Sequence, residues 1–258
     1  MVKKIILCIG LLTYMLVGFL LHLALFVVPR LRYQCMARWN QELNRFLARM
    51  LHISVIIKGD RAMLKTQGAL IVANHLGYLD GFVLGSIIPL VYTSKTEVKQ
   101  WPVFGWIALV GGTIFIDRQR KSKAKGYVAA TSQMLKRKVN VLSFPEGTST
   151  NGQGLRQFQS IHFEAPLQAS ACVVPVVISY ATINHKIVNR DNRDALCWYG
   201  QVSFVRHLMG VLALQQIEAV VEFLPLIKIP SLSDRELLRK ELSASVHARI
   251  AQRYPLFS

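Results

Sequence analysis

Acidic residues are scarce in this chain: 14 Asp and Glu stand against 31 Lys and Arg in 258 positions, a formal charge of +17. Charge of either sign is thin, at 17% of residues, whereas 52% are hydrophobic. That composition excludes disorder as the main state, because ample apolar surface is available for burial. The length suits one sizeable domain, or a domain with an anchor, rather than two large domains. Cysteine is sparse too, and Cys8, Cys35, Cys172 and Cys197 are scattered, with no C-x-x-C pair. Neither a disulfide framework nor a zinc site is expected, and a reducing compartment fits. His-x-x-x-His pairs and clustered carboxylates are missing, so no metal site is expected. A G-x-S-x-G elbow is absent as well, which removes the commonest setting for a nucleophilic serine.

What is present combines basicity with apolarity, and the combination points to nucleic acid or an anionic membrane surface. The first thirty residues separate the two. Ile5 to Val28 contain no Asp, Glu, Lys or Arg. As a helix that run extends about 36 Å, against a hydrocarbon core of about 30 Å. A cleavable signal peptide competes, since Lys3 and Lys4 precede the run, but the run is too long for one and no small-x-small site follows. Arg30, Arg32, Arg38, Arg45 and Arg49 follow instead, which predicts a retained anchor with the rest of the chain on the cytoplasmic side.

Pro29 is expected to end the first helix. From Met36 to Leu51, Trp39, Leu43, Phe46, Leu47, Met50 and Leu51 recur at helical spacing with arginines between them. The pattern fits an interfacial helix and fits equally an amphipathic helix packed on the protein. The expected division is an anchor with its second helix over residues 1–52 and a catalytic domain over 53–258. Ala165 to Ile183 is also uncharged, but Pro166, Pro175 and a β-branched run favour a buried strand with its flanks over a second span.

Beyond the anchor, short apolar runs recur at Val55–Lys58, Ala69–Asn74, Thr113–Ile116, Val139–Phe144, Val173–Ser179, Val202–Val205 and Ala219–Leu224. Helical stretches fall between several of them, including Ser122–Arg137. A final helix is predicted from Ser233, where Ser233-Asp234-Arg235-Glu236 forms a capping box before Leu238, Leu242, Val246 and Ile250. The alternation predicts an α/β layer fold, a central mostly parallel or mixed sheet flanked by helices.

The strand Ala69–Asn74 opens into Asn74-His75-Leu76-Gly77-Tyr78-Leu79-Asp80. A histidine just past a buried strand end sits where α/β folds hold ligands. On one helix His75 and Asp80 would be rotated about 140° apart. Gly77 makes a turn between them easy, so the carboxylate can fold back to the ring. An Asp accepting from Nδ1 fixes the tautomer and leaves Nε2 to take a proton from a hydroxyl. By itself the spacing also arises by chance. Phe144-Pro145-Glu146-Gly147-Thr148, again after an apolar strand, could orient a polyol or a headgroup, or could simply turn the chain. Gly111 to Arg118 is a Gly-led strand ending in a charged pair, and Val174-Pro175-Val176 implies an edge or bulge position.

These four blocks, in this order, resemble the glycerolipid acyltransferase family. Its lysophosphatidate acyltransferases carry an N-H-x4-D block, a Gly-rich block ending in aromatic-Ile-Asp/Arg-Arg, an F-P-E-G-T block and a V-P-V block. The resemblance spans roughly residues 50 to 225. It implies that His75 is the general base and Asp80 its orienting partner. A lysolipid hydroxyl would then attack the carbonyl of an acyl-CoA or acyl-carrier protein thioester, with no acyl-enzyme and no cofactor beyond that co-substrate. Glu146, Gly147 and Thr148 resemble the acceptor-binding block and Arg118 the phosphate-holding base, while Asn74 shapes the catalytic turn. The implied location is the bacterial inner membrane, facing the cytoplasm, in phospholipid biosynthesis.

Two departures bear on the acceptor. Ser149-Thr150 follow the third block where many lysophosphatidate enzymes have Arg-Ser, and Gln159 follows Phe158 where a basic residue is common. A hydroxyl does not replace a bidentate guanidinium. Arg156 or Arg118 compensates, or the acceptor is another lysolipid such as lyso-ornithine lipid. A lipid or thioester hydrolase is a further alternative, because the same pair could activate water. The basic runs from Arg118 to Lys125 and Lys136 to Lys138 read as faces attracted to anionic lipid, at about 1 kcal/mol per residue near a surface. A docking patch for CoA phosphates or an acidic carrier protein is the sharper reading. Nucleic acid is not an expected partner, because aromatics are not interleaved with the basic residues.

Overall fold

The computed structural model describes residues 2–101, 103–117, 121–229 and 235–254. Arg118 lies outside them, as do Ser233 and Asp234 of the expected capping box.

Two long helices come first, α1 (Val2–Ala24) and α2 (Pro29–Met50). Pro29 does not end the first helix, which stops at Ala24. It starts the second, at a position where a missing N–H costs nothing. One side of α1 carries Leu7, Leu11 and Tyr14 against Leu43 and Leu47 of α2. Ile9, Leu12, Leu16, Phe19 and Leu23 are exposed on its other side. The second helix is not a free amphipathic rod, because Met36, Ala37, Asn40, Leu43, Asn44, Leu47 and Ala48 are all buried. It packs against α1 and against a later helix, with Arg38, Arg45 and Arg49 exposed.

Eight strands follow: β1 (Ile53–Gly59), β2 (Leu70–Ala73), β3 (Leu90–Lys95), β4 (Ile114–Ile116), β5 (Asn140–Ser143), β6 (Val173–Ile183), β7 (Lys186–Ile187) and β8 (Ile217–Phe223). Between and after them lie α3 (Tyr78–Ile87), α4 (Phe104–Val110), α5 (Lys121–Lys136), α6 (Glu164–Ala169), α7 (Phe204–Leu212) and α8 (Arg235–Ala251). The sheet order is β1-β8-β6-β2-β5-β3-β4, with β7 added to β6. The β6–β8 and β6–β7 pairs are antiparallel and the remainder parallel, so the sheet is mixed and mostly parallel.

Both sheet faces are covered, which is why its central strands are apolar runs rather than alternating ones. In β2, Ile71 and Ala73 pack with α3 residues Leu79, Val83 and Leu84, whereas Leu70 and Val72 pack with Tyr127 and Leu135 of α5 and Val246 and Ile250 of α8. Each fully buried Leu, Ile or Val contributes about 1.5–3 kcal/mol relative to exposure.

Three expectations are corrected. The strand β3 was not anticipated, although Leu-Val-Tyr-Thr after Pro89 is a strand composition. Val202–Val205 is not a strand: the chain becomes helical at Phe204, because Phe204, Leu208 and Val211 recur at helical rather than alternating spacing. Pro175 lies on an interior strand, opposite the residue just past the end of β8, where its carbonyl accepts from Leu224 N at 3.0 Å. Its missing N–H therefore falls where the ladder to β8 runs out.

Candidate active site

The strands β2 and β5 are parallel neighbours, and the loops leaving their C-terminal ends carry two of the blocks singled out above. Asn74, the first residue past β2, is fully buried. Its Nδ2 donates to Ile178 O at 2.9 Å, and Ile178 N donates back to its Oδ1 at 2.8 Å. Both ends of the amide are thus taken up by β6. Asn74, expected among the substrate-binding residues and to shape the turn, holds the chain to β6 as it leaves the sheet.

His75 follows, and Asp80 sits in the first turn of α3. His75 precedes the helix, so the 140° argument for a single helix does not apply. The His75 Nδ1 and Asp80 Oδ2 are 2.9 Å apart. The same oxygen accepts from Leu76 N at 2.6 Å and Gly77 N at 2.9 Å, and Oδ1 accepts from the Tyr180 hydroxyl at 2.8 Å. Asp80 is fully buried and has donors on both oxygens. Gly77 is needed for room rather than for an unusual backbone angle: its φ is 172°, and a Cβ there would stand 3.0 Å from Trp198 N. The imidazole stacks on Phe144, with centroids 4.0 Å apart and planes 12° apart. Since a carboxylate only accepts, Nδ1 carries the proton in this pair and Nε2 is the basic nitrogen.

The loop after β5 holds this ring from behind. Glu146 Oε1 accepts from His75 N at 2.7 Å and Oε2 from Arg156 N at 3.0 Å. Burial pushes the Glu146 carboxyl up to about 7, with the two N–H donors pulling the other way and the Asp80 charge adding to the rise. Expected to bind substrate, Glu146 instead ties together the two loops. Gly147 adopts φ +82°, the left-handed region that a side chain disfavours, and its N donates to Phe144 O at 3.1 Å. Thr150 N donates to His75 O at 2.9 Å, and the Ser149 hydroxyl donates to Trp198 O. Arg156 is exposed; its backbone N–H bonds Glu146, and its charge lowers the Glu146 carboxyl slightly.

A cavity of about 360 Å³ opens beside the ring. His75, Phe144, Gly147, Thr148 and Ser149 form one side; α2, α3 and α4 supply Leu43, Phe82, Ile107 and Ala108. Glu146, Asn74 and Arg156 do not line it, and Lys95 at the end of β3 is the one lysine or arginine among the described lining residues. Toward α1 and α2 the wall also carries polar groups that bond one another. Tyr14 donates to Asn40 Oδ1 at 2.6 Å, Asn44 Nδ2 donates to Tyr92 Oη at 2.6 Å, and Asn40 Nδ2 donates to Gly111 O at 2.9 Å. Gly111 of the Gly-led block is required by this contact, since a Cβ would stand 2.8 Å from Tyr14 Oη. Among the described residues no group of three or more His, Cys, Asp or Glu could hold a metal ion.

The site therefore brings together His75, Asp80, Glu146, Gly147 and Thr148. Sequence reasoning missed Tyr180, Lys95, Trp198 and the helical residues Tyr14, Asn40 and Asn44. Lys95 was findable, as the charged end of an apolar strand. The others are joined to the site only by the fold.

Similarity to known proteins agrees with this geometry. The Acyltransferase family model matches residues 54–179. Lyso-ornithine lipid O-acyltransferase of Rhizobium meliloti is 30% identical over 221 residues, covering 83% of this chain and 74% of that protein. The 1-acyl-sn-glycerol-3-phosphate acyltransferase of Neisseria meningitidis is 28% identical over 210 residues, covering 81% and 80%. Among solved structures, the 1-acyl-sn-glycerophosphate acyltransferase PlsC of Thermotoga maritima shares the fold, with a TM-score of 0.62, 99% coverage of both chains and 15% identity. Fold, site and relatives together make this chain an acyltransferase. It belongs to the glycerolipid acyltransferase family.

Proposed function

We propose that the enzyme transfers a fatty acyl group from an acyl thioester, acyl-CoA or acyl-carrier protein, to the free hydroxyl of a lysolipid, with lysophosphatidate as acceptor and phosphatidate as product. The observation that carries this reading is the 2.9 Å His75–Asp80 pair bordering an apolar cavity. Nε2 of His75 takes the hydroxyl proton as the oxygen attacks the thioester carbonyl, and the imidazolium is stabilised by the Asp80 carboxylate. Collapse of the tetrahedral species breaks the C–S bond, and the sulfur leaves with the proton from His75. No covalent enzyme intermediate is required. The cavity suits an acyl chain, since its wall is mostly aliphatic and aromatic. Lys95 offers a cation for the phosphate on the same wall. Membrane association is supported by α1, whose Ile5–Ala24 segment is the one candidate span among the described residues and is mostly exposed along its length. The catalytic side then faces the cytoplasm.

A second acceptor, lyso-ornithine lipid, is favoured by one observation. Ser149 stands where a phosphate-gripping arginine is common, and its hydroxyl is bonded to Trp198 O. The relative in Rhizobium meliloti carries that activity in its name. The test supplies a labelled acyl thioester to the enzyme in vesicles, with no acceptor, with lysophosphatidate, or with lyso-ornithine lipid. Diacyl product that requires an acceptor is expected, with lysophosphatidate preferred. Free fatty acid released equally without acceptor would overturn transfer in favour of hydrolysis. Preference for lyso-ornithine lipid would move the assignment to the second acceptor.

A further inference from the structure

We propose that Tyr180 is a positioning residue for acyl transfer, its hydroxyl locking the Asp80 carboxylate so that one oxygen alone faces the His75 ring. The inference deepens the reading of His75 as the base and rests on it.

Asp80 is fully buried, so its oxygens depend on donors held close by the fold. Its Oδ2 gathers three donors from its own segment: the His75 ring and the backbone of Leu76 and Gly77. Its Oδ1 takes the Tyr180 hydroxyl at 2.8 Å from a residue 100 positions away. Without that hydroxyl the second oxygen would be a buried acceptor lacking this donor, and rotation about Cβ–Cγ would become easier. Tyr180 is itself buried, on β6, two residues past the Ile178 that clamps Asn74. One strand thus fixes both ends of the catalytic segment: the residue before His75 through main chain, and the carboxylate through a side chain. Burial and the neighbouring Asp80 push the Tyr180 phenol well above its usual range, so it remains a neutral donor at any working pH.

The electrostatic consequence follows from charge sharing. A donor on Oδ1 draws negative charge away from Oδ2, and so moderates the hold of Asp80 on the imidazolium. Removing it makes the ring more basic. Other ionisable groups around the pair are Glu146, Cys197, Tyr78 and Tyr254. All stay in place in the variants below.

The experiment compares the full-length enzyme with Tyr180→Phe and with 3-fluorotyrosine incorporated at position 180, reading both turnover against pH and the titration of ¹⁵N-labelled His75 by NMR. For Tyr180→Phe, kcat/KM on the high-pH plateau should fall about tenfold with acceptor KM nearly unchanged, a size set by one hydrogen bond to a charged group. The midpoints of the acidic limb and of the ring's titration should both move upward. The fluorinated residue, a stronger donor of nearly the same shape, should shift both midpoints the other way and remain folded. A lower Tm for Tyr180→Phe with both midpoints unmoved in both proteins would mean packing alone, and overturns the proposal. Near-normal turnover in His75→Ala would overturn the base reading and this proposal together; an unchanged His75 titration overturns this proposal alone.

Discussion

The loop after β2 and the loop after β5 each end a buried strand and each carry a buried carboxylate, yet the two are held in opposite ways. Asp80 has four donors, one of them the His75 imidazole. Glu146 has two, both backbone N–H groups, one from each loop. Burial raises the Glu146 carboxyl to about 7, and its two N–H donors offset part of that rise. The same kind of side chain thus holds an imidazole ring in one place and clasps two loops together in the other. Neither the charge nor the motif distinguishes these roles; the partners do.

Breaking the orienting carboxylate should have the larger effect. Asp80→Ala is expected to lower kcat roughly 10²–10³-fold, with the protein folded, because the ring loses its tautomer lock and the imidazolium its counter-charge. Single-turnover rates with saturating thioester check it. A loss below about threefold would remove Asp80 from the mechanism.

Breaking the clasp should cost less and should change a pH dependence. Glu146→Gln is expected to lower kcat about tenfold, since an amide cannot accept on both sides and one N–H then faces an NH₂ group. The sign for stability is opposite to that of a salt-bridged carboxylate. The Glu146 carboxyl lies above its ordinary 4.5 when folded, so its contribution is complete below that value and is lost as pH climbs through about 7. Thermal melts at about pH 5 and about pH 8 should show a smaller drop for Glu146→Gln than for the wild type.

The smallest change sharpens the contrast by leaving both loops alone. Ala108→Trp on α4 should narrow the cavity and lower turnover of long-chain thioesters about tenfold, while short chains are used nearly as well. Equal losses at all chain lengths would dissociate the cavity from the acyl chain.

Much of this contrast was legible in the sequence, and the remainder was not for identifiable reasons. The N-H-x4-D and F-P-E-G-T blocks announce themselves because strand ends expose consecutive residues, so local order survives into the site. The alternation of apolar runs with helical stretches also carried the mixed α/β sheet. What a motif cannot say is where each carboxylate points, and so the bonds from Glu146 to the His75 and Arg156 main chain were not foreseen. Tyr180 reaches Asp80 across 100 residues, with no local signal. The apolar wall from α2 and α4 depends on packing that periodicity alone leaves undecided: the second helix could equally have lain on lipid. The run at Val202–Val205 misled because a short β-branched stretch at a helix start reads as a strand.

The most direct measurement is acyl transfer to lysolipid by His75→Ala in vesicles, beside a melt that shows the variant folded. The account predicts a fall in kcat of about 10³-fold or more, since it assigns removal of the hydroxyl proton to Nε2 of His75. A folded His75→Ala enzyme that still forms diacyl product at near-normal rate would contradict it.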